Sequence, residues 1–136
     1  MINFRLFKNK KILVTGHTGF KGSWLCLWLH IIGAKVYGIS KSVVTNPSHY
    51  HSIFLNRKIT EFFFDLHNSQ KTKKIINKIK PDYIFHLAAQ AIVKKSYQDP
   101  LETWKSNLFG TLNILQSLRS LNKKCKVVII TSDKVY

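Results

Sequence analysis

Acidic residues are scarce in this chain: 6 Asp and Glu stand against 22 Lys and Arg in 136 residues, for a formal net charge of +16. Cysteine is scarcer still. Cys26 falls in an apolar helical stretch and Cys125 just before a late strand, without CxxC spacing or a histidine ladder. That excludes a disulfide framework and a metal site, and leaves two reduced, structural thiols. Long apolar runs are missing too. The most apolar stretch, Trp24 to Ala34, is interrupted by His30 and falls short of the roughly 18 to 20 residues of a membrane span. Met1 to Lys11 alternates basic and apolar residues without a secretory pattern, so a cytoplasmic protein with no membrane partner is expected. No internal repeat and no second domain is visible. A 45% hydrophobic content is that of a globular fold.

What the chain does have is a glycine-punctuated turn. Lys11-Ile12-Leu13-Val14-Thr15 reads as a strand buried on both faces. Gly16, Gly19 and Gly22 follow, spaced three residues apart, before the apolar helix expected over Phe20 to Ile32 and stopped by Gly33. In a dinucleotide cradle the first glycine makes the tight turn, the second lets the backbone approach a pyrophosphate, and the third allows close packing of helix on strand. The amides and dipole of the new helix favour anions. Alone this spacing is weak evidence, but a strand before it and a helix after it make the nucleotide reading the stronger one.

The excess of positive charge bears on partners. Its densest groups, Lys8-Asn9-Lys10-Lys11, Lys71-Thr72-Lys73-Lys74 and Lys123-Lys124, fall where loops and exposed helix faces are expected. A nucleic-acid partner is therefore not expected, whereas the same field attracts small anions.

The rest of the chain alternates strands with helices. Lys35 to Ile39 reads as the second strand, but the acid that usually follows to hold the ribose is replaced by Ser40 and Lys41. Ser40 suits a ribose hydroxyl and Lys41 a 2′-phosphate, so the residues leave NAD and NADP open. Residues 42–56 read as a loop. Thr60 to Phe64 is the third expected strand, and Asp65 at its end either touches the adenine or caps the helix that begins near Asn68 or Ser69. Lys71 to Lys80 is an amphipathic helix ended by Pro81. Tyr83 to Ala89 reads as the fourth strand running into small residues that leave room for a ligand, with His86 as a hydrogen-bonded core residue. Pro100 to Leu121 reads as one long helix with Leu101, Trp104, Leu108, Leu112 and Leu115 at helical spacing and Asn107 within that pattern, in need of a partner if buried, and Lys126 to Ile130 reads as the fifth strand. The helix expected over Phe20 to Ile32, with Trp24, Leu25, Leu27, Trp28, Leu29, Ile31 and Ile32, is expected to be largely covered. Together these elements predict a doubly wound parallel sheet of order 3-2-1-4-5.

Four segments carry a narrower resemblance: Gly16 to Leu25 (GHTGFKGSWL), Phe85 to Gln90 (FHLAAQ), Asp99 to Asn107, and Thr131 to Tyr136 (TSDKVY). Together they resemble the CDP-glucose 4,6-dehydratase family, which belongs to the extended short-chain dehydrogenase/reductase enzymes. The resemblance covers nearly all of the chain. Lys134 is a discriminating residue, because the related dTDP-glucose dehydratases carry Glu there. The resemblance implies a Rossmann domain that binds NAD through Gly16, Thr18, Gly19, Phe20, Gly22, Ser40, Asp65, Leu66, Leu87, Ala88, Ala89, Asn107 and Thr131. It also implies a redox-neutral elimination on CDP-glucose: oxidation at sugar C4, loss of the C6 hydroxyl as water after C5 is deprotonated, and return of hydride to C6. In that scheme Ser132 bonds the reacting hydroxyl, Asp133 is the general acid and Lys134 assists at C5. A nucleotide-sugar epimerase or a non-catalytic dinucleotide-binding remnant is the alternative. The Tyr-x-x-x-Lys pair that the superfamily places beyond the fifth strand does not follow here. The chain is therefore expected to be an incomplete dinucleotide-binding domain, the N-terminal part of a homo-oligomeric enzyme.

Overall fold

The computed structural model describes residues 4–131. The expected Ser132, Asp133 and Lys134 thus lie outside the described residues. After a 3-10 turn at Phe4–Phe7, β1 spans Lys11–Thr15, with Ile12, Leu13 and Val14 fully buried. Aliphatic side chains on both faces suit a central strand covered from either side. α1, Phe20–Ile31, follows, and Gly33 adopts a left-handed φ of +85° just past its end, the helix stop read from the sequence. Next come β2 (Lys35–Ser40), α2 (His49–Ser52), a 3-10 turn (Leu55–Arg57), β3 (Thr60–Phe63), α3 (Ser69–Ile79) and β4 (Tyr83–His86). α4 (Val93–Gln98) precedes α5 (Pro100–Trp104), a π-helical turn at Lys105–Phe109, α6 (Gly110–Leu118) and β5 (Lys126–Ile129).

All strand pairings are parallel and the order is β3-β2-β1-β4-β5, as the alternation of elements predicts. Because side chains alternate across a strand, β1 feeds two cores. Leu13 joins Ile39, Ile76, Ile79, Ile84 and Ile114 under α3 and α6, while Ile12 and Val14 join Cys26, Leu29, Val36, Tyr50 and Leu55 under α1 and α2. Each aliphatic side chain so buried contributes about 1.5–3 kcal/mol, which is what holds strands this short.

Several expectations are corrected. Residues 42–56 are not a plain loop: Ser48 caps α2 by accepting from the His51 amide, and Tyr50 and Leu55 dock in the second core. Two docking residues are too few to leave a helical period in the sequence. Nor is α1 largely covered. Its buried residues are Gly22, Ser23, Cys26 and Leu29, whereas Phe20 and Ile31 are each 71% exposed and Trp24 49%. Small residues form the inner face because they allow close approach to the sheet, so the bulky ones are turned outward. The same happens on the helix expected over Pro100 to Leu121, which is interrupted by the π-turn and ends at Leu118. Gly110, Ile114 and Ser117 face inward, and Leu101, Trp104, Leu108, Leu112 and Leu115 are exposed. β4 ends at His86, so Leu87, Ala88 and Ala89 form the stretch beyond it. Both cysteines are free thiols. Among the described residues no helix is long and apolar enough to cross a membrane.

Candidate functional site

The C-terminal edge of the sheet gathers the residues singled out in the sequence, beginning with the turn after β1. Gly16 has φ +74°, and a Cβ there would lie 2.9 Å from the Ala88 amide nitrogen. A Cβ on Gly22 would lie 2.1 Å from the Gly16 carbonyl oxygen, so α1 sits on the turn itself. Gly19 differs from both. It caps α1, and a Cβ there would meet only the Gly16 oxygen at 3.3 Å, with open space beyond. Two glycines thus serve packing, and the middle one leaves a gap in front of a helix whose first turn holds no acidic residue. Opening-turn amides lack partners within their own helix, so the turn fits a pyrophosphate.

Beneath the turn lies a polar cluster that the sequence did not disclose. His17 is fully buried, with Nδ1 2.9 Å from Ser40 Oγ and Nε2 3.2 Å from Glu61 Oε2. Tyr50 donates its hydroxyl to the same carboxylate at 2.9 Å. Burial pushes the His17 imidazole below its ordinary value, against the opposing pull of the Ile39 carbonyl and Glu61. Burial, aided by Glu61, pushes the Tyr50 phenol up to about 12. The Thr18 amide donates to Ser40 Oγ at 3.2 Å, and Thr18 Oγ1 donates to the Ser42 carbonyl at 2.8 Å. These bonds tie the glycine turn to the end of β2. One local signal pointed this way. A glycine inside a strand marks close approach, and a Cβ on Gly38 would come within 2.5 Å of the His17 ring.

Beside Ser40, Lys41 Nζ lies 3.0 Å from Asp65 Oδ2 and 2.7 Å from Glu102 Oε1. Asp65 is not the helix cap, since Asn68 accepts from the Lys71 amide at 3.0 Å. Instead Asp65 accepts from the His67 amide at 3.1 Å. Partial burial works against its charge, but the His67 amide and Lys41 outweigh that and hold the carboxyl below its ordinary range. Glu102 first, and Asp65 next, hold the Lys41 ammonium above its ordinary value. Leu66 is buried in the first core, and its carbonyl accepts from Thr72 and Asn113.

The opposite side of the turn is built by β4 and the long helix. The amides of Leu87 and Ala88 donate to the Thr15 carbonyl and Thr15 Oγ1, each at 3.2 Å, and Ala89 is exposed. His86 is the hydrogen-bonded core histidine expected: its ring lies 2.6 Å from Thr15 Oγ1 and 2.8 Å from Thr111 Oγ1. Asn107 finds its partner in the Gln90 backbone, accepting from the amide at 2.7 Å and donating to the carbonyl at 3.1 Å. It stands in the π-turn, where the looser helical winding presents it to that loop. Thr131, which is exposed, is the last described residue. A groove of about 310 Å³ between α3 and α6, lined by residues including Lys73, Asn113 and Arg119, shares none of its lining residues with the glycine turn.

A five-stranded parallel sheet with a glycine turn opening onto its C-terminal edge defines a Rossmann-type nucleotide-binding fold. The GDP-mannose 4,6 dehydratase family model matches residues 13–136, and the chain belongs to that family. It is similar to CDP-glucose 4,6-dehydratase of Salmonella typhimurium, with 40% identity over 136 residues, which is all of this chain and 38% of that protein. It is also 32% identical over 128 residues to UDP-glucose 4-epimerase of Mycoplasma genitalium, covering 93% of this chain and 37% of that one. Among solved structures, the epimerase Mth375 of Methanothermobacter thermautotrophicus superposes with a TM-score of 0.81 at 28% identity, covering 96% of this chain and 37% of that one. UDP-glucose 4-epimerase of Bifidobacterium longum, solved with NAD+ and UDP, shares the fold with a TM-score of 0.78 at 22% identity, over 93% and 38% of the two chains. The chain thus spans between a third and two-fifths of the length of these relatives.

Proposed function

We propose that this chain is the NAD-binding part of a CDP-glucose 4,6-dehydratase, acting in the cytoplasm in deoxysugar synthesis for surface polysaccharide. The observation that carries the cofactor reading is the open space at Gly19 between two closely packed glycines. On this reading Gly16, Thr18, Gly19, Phe20 and Gly22 hold the pyrophosphate. Ser40, Asp65 and Leu66 flank the adenosine, and Leu87, Ala88, Ala89, Asn107 and Thr131 line the path towards the nicotinamide. Ser40 Oγ already accepts from Thr18, and its remaining lone pair suits a ribose hydroxyl. When bound, the nicotinamide supplies reversible hydride acceptance.

The substrate reading is supported by the 40% identity with the Salmonella CDP-glucose enzyme. Ser132 bonds the C4 hydroxyl, Asp133 gives its proton to the departing C6 hydroxyl, and Lys134 takes the proton from C5. Lys134 can act as a base only where burial or neighbouring cations lower its pKa from about 10.4. An epimerase has no use for this acid and base, although the fold likeness to Mth375 keeps epimerisation as the second reading. The tyrosine that starts oxidation at C4 and the remaining sugar-binding residues are not assigned among these 136 residues. Calorimetric titration with NAD tests the first half: binding is expected in the unaltered protein and is expected to be at least tenfold weaker in Gly19→Ala, which meets only one atom of the fold. Incubating the full-length protein with NAD and CDP-glucose tests the second, with a 4-keto-6-deoxy product expected. Epimerised sugar without loss of water would favour the other reading.

A further inference from the structure

The sequence left an unusual pair at the end of β2, a serine followed by a lysine, where a carboxylate commonly selects the 2′-hydroxyl of NAD. A free lysine at that place would invite a 2′-phosphate. Lys41 is not free. Its ammonium sits between Asp65 Oδ2 at 3.0 Å and Glu102 Oε1 at 2.7 Å, although its side chain is 61% exposed. Both carboxylates are held in place. Asp65 Oδ1 accepts from the His67 amide at 3.1 Å and faces His67 Nδ1 at 2.9 Å, and Ser106 Oγ donates to Glu102 Oε1 at 3.5 Å. Asp99 caps the short helix that carries Glu102, accepting from the Glu102 amide at 3.0 Å. Two carboxylates around one ammonium leave a net negative charge beside Ser40, which the Thr18 amide binds to the glycine turn. A 2′-phosphate brings about −1.5 to −2 charge into that field.

We infer that Glu102, together with Asp65, sets the choice between NAD and NADP by occupying Lys41, so that the 2′-hydroxyl cofactor is accepted and the 2′-phosphorylated one refused. The acid missing from β2 is thereby supplied from the end of β3 and from α5. This inference rests on the dinucleotide reading above. Glu102 acts through Lys41 and is a positioning residue, which decides how it is tested.

Calorimetric titrations of NAD and NADP into the purified protein give the affinity ratio. The unaltered protein is expected to prefer NAD. Glu102→Gln removes one of the two charges that hold Lys41, leaving Asp65, and is expected to move the ratio towards NADP by up to about fivefold, the upper range of an exposed ion pair. Lys41→Gln removes the cation and leaves both acids, so it is expected to move the ratio the other way. In the Lys41→Gln, Glu102→Gln double variant the gain from the Glu102 change is expected to shrink to the part that loss of one negative charge gives by itself. If both cofactors bind and neither single variant moves the ratio, the inference fails while the dinucleotide reading stands. A gain of undiminished size in the double variant also overturns it. Failure of the unaltered protein to bind either cofactor removes the dinucleotide reading and this inference with it.

Discussion

Thr15 Oγ1 and His86 Nδ1 lie 2.6 Å apart in the buried seam between β1 and β4, directly below the glycine turn. Their surroundings fix the direction of each proton. Thr111 donates its hydroxyl to the Asn107 carbonyl at 2.7 Å, so its oxygen accepts from His86 Nε2–H at 2.8 Å. Nδ1 of the neutral ring then accepts from the Thr15 hydroxyl, whose oxygen in turn accepts from the Ala88 amide at 3.2 Å. One oriented chain of hydrogen bonds thus ties the long helix, β4 and the glycine turn together.

Burial lowers the pKa of His86, as it does for His17. Both rings therefore bind protons less readily in the fold than once unfolded. The unfolded state then binds more protons below the ordinary histidine value of 6.5, and stability falls as pH drops through that value. The urea midpoint is expected to be flat between about pH 7 and 8 and to decline towards pH 5, with His86→Gln flattening part of the decline. His86→Gln keeps a donor for Thr111 but not the acceptor for Thr15, and is expected to cost about 1–3 kcal/mol at neutral pH. An unchanged pH slope in that variant would count against the proton arrangement.

Substituting the glycines one at a time separates packing from binding. Gly22→Ala places a methyl 2.1 Å from the Gly16 oxygen, and a loss of about 1–3 kcal/mol or more is expected from such overpacking. Gly19→Ala meets only one atom, at 3.3 Å. Its melting temperature is expected to stay within a few degrees of the parent while NAD affinity drops at least tenfold, because the methyl occupies the pyrophosphate space. Thermal melts paired with titration check both. Equal destabilisation by the two substitutions would contradict the division of roles.

Asp133→Asn, made in the full-length protein, is expected to lower the dehydration rate by roughly 100- to 10,000-fold, the usual worth of a positioned general acid. NAD affinity is expected to stay unchanged, since Asp133 is assigned to the sugar. Product formation followed alongside NAD titration tests the separation. Equal loss of both would make Asp133 a structural residue.

Expressed as these 136 residues, the protein is expected to self-associate along β5. That strand ends the described sheet, and Val128, Ile129 and Ile130 are exposed there. An aliphatic edge with unpaired backbone groups pairs readily with another chain. Size-exclusion chromatography should show species larger than the 15.8 kDa monomer, and Val128→Lys should shift the profile towards the monomer. A monomeric unaltered chain sinks this prediction.

Local chemistry in the sequence determined the strand order, the glycine turn and the helix stops. Alternating aliphatic runs and amphipathic stretches admit few topologies, and Gly16 and Gly33 occupy left-handed positions that other residues rarely adopt. His86 was legible as a core residue because its neighbours are apolar, whereas Asn107, read as needing a partner if buried, is exposed and bonds the Gln90 backbone all the same. What the tertiary structure alone decided depends on distance along the chain. His17 and Glu61 are 44 residues apart, and Lys41 and Glu102 are 61, so no spacing rule relates them. The outward turn of Trp24, Trp104 and Leu112 was hidden for another reason. A helix presses its smallest residues against a sheet when close approach yields more contact than bulk does, and hydrophobicity alone therefore named the wrong faces.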